Sequence, residues 1–82
     1  MKLFMMLDTV EFLLDYVTNV SDPLLDALHR AEREMIDKNR NMVLVSFDPF
    51  EEERLRAVVE QLLEDDKTIP TELARVAITN KN

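Results

Sequence analysis

The sequence predicts a mainly α-helical single domain, with three to four helices and one short strand. Three observations predict it. Apolar residues recur at spacings of three and four over most of the chain. Asp22-Pro23 and Asp48-Pro49 each place a side-chain cap before a proline that fits the first helical turn. Only Met42-Val43-Leu44-Val45-Ser46-Phe47 has the β-branched, apolar composition of a strand. Eighty-two residues make one small domain.

The first helix is expected over about 2–19. Leu3, Leu7, Val10, Leu14 and Val17 form a seam at spacings of 4, 3, 4 and 3. Phe4, Phe12, Leu13 and Tyr16 widen that seam, so this helix is expected to be covered on more than one side. A second reading makes residues 2–7 a short strand, with Asp8 capping the helix and Glu11 completing a capping box. The spacing favours the single helix.

The second helix, about 22–38, starts at the Asp22 cap and carries Leu24, Leu28, Ala31 and Met35 as its stripe. Its other face mixes acids and bases. Asn39-Arg40-Asn41 breaks the chain before the strand at 42–47. Asp48-Pro49-Phe50-Glu51 then combines a cap, a first-turn proline and a capping-box glutamate. The third helix, about 49–66, is expected to be amphipathic, with Leu55, Val58, Val59, Leu62 and Leu63 on one side. Its acidic end, Glu64-Asp65-Asp66, opposes the helix dipole. A last helix, about 70–78, sets Leu73, Val76 and Ala77 on one side, and Thr79 to Asn82 read as a polar end.

A lone strand leaves backbone donors and acceptors without partners. The candidates are residues 2–7 if extended, residues 75–79, or the same strand of a second copy in a symmetric dimer. Met42, Val43, Leu44, Val45 and Phe47, with Phe4 and Phe12, are the residues expected at such a dimer contact.

Composition excludes several chemistries. The chain has no cysteine, so it holds no disulfide and no thiolate metal site. It has no glycine, which rules out phosphate-cradling loops of the Walker and dinucleotide-binding kinds. Its one histidine, His29, has Asp26 three residues before it and Glu32 three after, and reads as an exposed member of a charged helix face. Ser21 and Ser46 show no nucleophile pattern. No enzyme activity, metal or cofactor is expected. The apolar run from Leu3 stops at Asp8, too short for a secretory core or a membrane span. A cytoplasmic location is the default expectation.

Ten Lys and Arg against 17 Asp and Glu give a net charge of −7. Such a balance works against sequence-independent grip on a phosphate backbone, so direct DNA binding is not expected. It suits association with a basic protein surface, including that of a nucleic-acid-binding protein. The carboxylates singled out for partner binding are Glu51, Glu52, Glu53, Glu64, Asp65 and Asp66.

Residues 41–79 run strand, capped helix, turn, short helix. Val43-Leu44-Val45-Ser46-Phe47 leads into Asp48-Pro49-Phe50-Glu51, and Pro70-Thr71-Glu72-Leu73-Ala74 opens the last helix. That order resembles the ribbon-helix-helix family over just under half the chain. The resemblance implies an intertwined dimer whose strands pair antiparallel above a four-helix core, and a DNA-binding regulator or antitoxin. With Val43, Val45 and Phe47 turned to the core, the outward set is Met42, Leu44 and Ser46. None of these is charged, which points to protein contact rather than a DNA groove. The expected function is therefore a non-enzymatic, acidic, protein-binding module, of the kind found among phage or plasmid inhibitors, antitoxins and anti-defence proteins. It would act by occluding or scaffolding a partner. The alternative is the dimeric DNA-binding regulator that the resemblance implies.

Overall fold

A computed structural model describes the backbone of residues 1–79 and the side chains of residues 1–76. The polar end at 80–82 and the expected inward side chain of Ala77 lie outside the described residues. The elements in order are β1 (Lys2–Met6), α1 (Leu7–Tyr16), α2 (Pro23–Asp37), β2 (Met42–Ser46), α3 (Pro49–Glu64) and α4 (Thr71–Thr79). The mainly helical architecture is the one expected.

The helix expected over 2–19 is two elements instead. Lys2–Met6 is extended and pairs antiparallel with β2, with Leu3 opposite Val45 and Met5 opposite Val43. The reason is local ambiguity resolved by a distant need. Leu3 to Leu7 are apolar at every position, so they satisfy a period of two as well as one of 3.6. Only the extended form gives β2 a hydrogen-bonding partner within the chain. The strand thus finds on one edge the pairing that the sequence reading also allowed across a dimer. α1 starts with Met6 at its N-cap position and has no side-chain cap. Asp8 stands in the first turn, so the Asp8–Glu11 capping box of the strand reading is not the device that opens it.

The two Asp-Pro starts form as read. Asp22 Oδ1 accepts the Leu24 N–H at 3.0 Å. Asp48 Oδ1 accepts the Glu51 N–H at 2.8 Å, and Glu51 Oε1 accepts the Asp48 N–H at 3.0 Å, completing a capping box. The C-termini of α2 and α3 share one ending. Asn39 has φ 53° and Asp66 has φ 56°. Arg40 N–H reaches back to Met35 O at 2.8 Å and Asn39 N–H to Ile36 O at 3.2 Å. Lys67 N–H reaches Leu62 O and Asp66 N–H reaches Leu63 O, both at 3.1 Å. These are Schellman turns built without glycine, on the two residue types that best tolerate left-handed backbone. Asp66 therefore belongs to the turn that stops α3 at Glu64, two residues before the expected end.

The sheet packs its inner face on the helices. Met5 and Val45 meet Val10, Leu13, Leu28, Met35, Leu55, Val59, Leu62 and Leu73 in one continuous core. Each fully buried leucine contributes about 2 kcal/mol relative to exposure. Ion pairs tie the layers at the rim. Arg54 Nε and Nη2 donate to Asp22 Oδ2 at 3.0 and 2.8 Å, joining α3 to the start of α2. Arg30 Nη2 donates to Glu51 Oε2 at 3.0 Å. Arg56 Nη2 donates to Glu52 Oε2 at 3.0 Å, and its Nη1 reaches Val76 O on α4 at 3.2 Å.

Candidate interaction surface

The sheet has two unlike faces. Leu3, Met5, Val43 and Val45 point inward, and Lys2, Phe4, Met6, Met42, Leu44 and Ser46 point outward. The register sets Phe4 directly opposite Leu44, Met6 opposite Met42 and Lys2 opposite Ser46. Phe4 is 62% exposed, and Met6, Met42 and Leu44 are each nearly half exposed. Two adjacent cross-strand pairs on the outside of the sheet are thus wholly apolar. Cross-strand neighbours on one face lie close enough to touch, so these four side chains form one patch. Beside it a groove of about 920 Å³ runs between the sheet and the end of α2. Phe4, Met42 and Leu44 line it with Glu34, Lys38 and Arg40.

The structure sorts the expected dimer residues into two groups. Phe4, Met42 and Leu44 come together on the outer face. Val45 and Phe47 are buried and Val43 is half-buried, all facing the core, while Phe12 is half-buried on α1. The outward set Met42, Leu44 and Ser46 is the one read from alternation. Met6 was missed, because its segment read as helix. The period of two in Leu3, Met5 against Phe4, Met6 is invisible when all four residues are apolar.

The carboxylates divide as well. Glu51 is buried, engaged by the capping box and by Arg30. Glu52 is half-buried between Arg56 and the Met1 amine, 3.4 Å away. The hydrogen bond from Arg56, followed by the amine's, holds its carboxyl below the ordinary glutamate value. Both residues therefore have internal work. Glu53, Glu64, Asp65 and Asp66 are exposed. Glu60, also exposed, lies seven residues after Glu53 and four before Glu64, so the three acids share one side of α3. The result is an acidic ridge along a helix that packs on α2 and α4. Glu60 was missed because it belongs to no acidic run, although helical spacing alone connects it to both.

Asp22 is the other electrostatic centre. The hydrogen bond from Arg54 lowers its pKa, against the opposing effect of burial, with a further contribution from the Leu24 N–H. The same pairing raises the pKa of Arg54. His29 is exposed, with Nδ1 3.9 Å from Glu32 Oε1, a loose contact. Among the described residues, no three or more His, Cys, Asp or Glu are grouped so as to hold a metal ion. No helix among them is long and apolar enough to cross a membrane. No protein-family model, curated protein or solved structure matches the chain.

Proposed function

We propose that this chain is a non-catalytic protein-binding module, an inhibitor or regulator that acts by covering or scaffolding a protein partner. The observation that carries the reading is the apolar outer face of the sheet, where the Phe4–Leu44 and Met6–Met42 pairs lie in the open. Contiguous apolar patches on a small protein mark contact sites, and phenylalanine and methionine are over-represented at the centres of such contacts. The acidic ridge of α3 supplies the second element. With a net charge of −7, it favours encounter with a basic partner, such as a nucleic-acid-binding protein, and makes that encounter salt-sensitive.

The test compares the wild-type chain with a Phe4→Ser/Met6→Ser variant as bait in extracts of the source cells. Both substitutions fall on exposed positions of β1, so the variant is expected to keep its helical circular dichroism. The expected result is a basic protein retained by the wild type, lost by the variant, and released by raised salt. Identical retention by the two baits overturns the docking face. Retention indifferent to salt overturns the steering role of the ridge.

A further inference from the structure

The two edges of the sheet are treated differently. Phe47 N–H donates to Met1 O at 2.8 Å, and Leu7 N–H donates to Asn41 O at 2.9 Å. Bonded and non-bonded pairs alternate along an antiparallel ladder. The bonded pairs between those ends are therefore Leu3–Val45 and Met5–Val43, and the remaining residues aim their N–H and C=O groups outward at the edges. On β1 that edge is guarded. Met6 N–H donates to Glu72 Oε2 of α4 at 2.8 Å, and Lys2 supplies the charge that deters strand addition. On β2 it is not. Met42 to Ser46 carry no charge and no proline. The sheet has two strands only, and among the described residues no hydrogen bond covers the outer-edge groups of Met42, Leu44 and Ser46. A cleft of about 280 Å³ runs beside this edge, lined on α2 by Ala27 and Ala31 together with Arg30 and Glu34.

We propose that the open edge of β2 pairs antiparallel with the same edge of a second copy of this chain, with Leu44 on the two-fold axis. Charge and hydrogen bonding select both the occupant and the register. Centred on Leu44, the pairing sets Leu44 against Leu44 of the second copy and Met42 against Ser46 of the second copy, each a bonded pair. It also sets Arg40 against Asp48 of the second copy, at both ends by symmetry. Arg40 is exposed and in no ion pair among the described residues. Asp48 uses Oδ1 for its capping box and keeps Oδ2. Shifting the axis to Val43 or Val45 loses bonded pairs and moves the two charges out of register. The assembly is a four-stranded sheet ordered β1-β2-β2-β1, and the two outer faces become one apolar platform. The proposal rests on the edge of the sheet, whereas the proposed function rests on its face, so either can fail alone.

Because the chain has no cysteine, Leu44→Cys introduces a single thiol at the axis, at an exposed position. Opposed strand residues there are about 5.5 Å apart, within disulfide range. Sedimentation across a concentration series, with oxidation of the Leu44→Cys and Phe4→Cys variants, reads the assembly. The expected result is a dimer that oxidation locks in the Leu44→Cys variant and not in the Phe4→Cys variant. In the wild type, the Leu44 amide slows in hydrogen exchange as concentration rises. Arg40→Asp places like charges at both ends and weakens the dimer about tenfold. Arg33→Asp, the same charge change on the exposed side of α2, leaves the dimer within about twofold. A single-subunit mass at every concentration overturns the proposal. So does a dimer that oxidation locks in the Phe4→Cys variant instead of the Leu44→Cys variant, or one equally sensitive to Arg33→Asp.

Discussion

Asp22 joins two jobs in one carboxylate: it caps α2 and it receives both donors of Arg54 while almost fully buried. A lost cap costs about 1 kcal/mol, and a lost charged hydrogen bond about 1.5–3. Asp22→Ala is therefore expected to destabilise the fold by about 2–4 kcal/mol in urea unfolding, and Asp22→Asn, which keeps the cap, by less. The pairing lowers the folded-state pKa below the ordinary 3.8. Its stabilisation is thus complete above that value and is lost as pH falls through the folded-state pKa. The gap between wild type and Asp22→Asn should be full at neutral pH and close in acid. Equal unfolding midpoints at neutral pH would remove the charge pair as a stabilising feature. The cap was legible, because Asp-Pro is a local signal. The pairing with Arg54, 32 residues away, was not.

At the scale of elements, local chemistry decided what could be read. α2 and α3 carry their own start signals, and their observed bounds fall within two residues of those expected. β1 carries none. Its identity depends on β2, which lies 36 to 44 residues along the chain. The alternation within β1 makes a sharp contrast between neighbours. Met5 is fully buried and Phe4 is 62% exposed. Met5→Ala is expected to cost about 2–5 kcal/mol, and Phe4→Ser about 1 or less, the value of one cross-strand pair. In a helix over 2–19 the seam would pass through Leu3 and Leu7 and leave Met5 off it. Thermal unfolding of the two variants separates the descriptions, since a larger loss from Phe4→Ser would contradict the strand.

For the molecule as a whole, charge was legible in amount but not in placement. The total of −7 follows from counting. Which acids are drawn into the scaffold does not, because the pairings of Arg30, Arg54 and Arg56 with Glu51, Asp22 and Glu52 join distant or part-buried positions. The exposed apolar face of the sheet and the exposed acids Glu53, Glu60 and Glu64 of α3 stand on different elements. The outward strand residues were readable because alternation within Met42–Ser46 is local. The matching residues of β1 were not.

The long separation between the two strands also sets an order of events in time. Before Met6 can meet Met42, the intervening chain must be drawn into a closed loop, at an entropic cost of about 3 kcal/mol. Helical turns in α2 and α3 form from near neighbours and need no such closure. The ladder is therefore the late step of folding, and the helices wait for their lid. Pulsed hydrogen labelling during refolding should protect amides of Leu28 and Val59 before those of Met5 and Val43, and simultaneous protection would contradict that order.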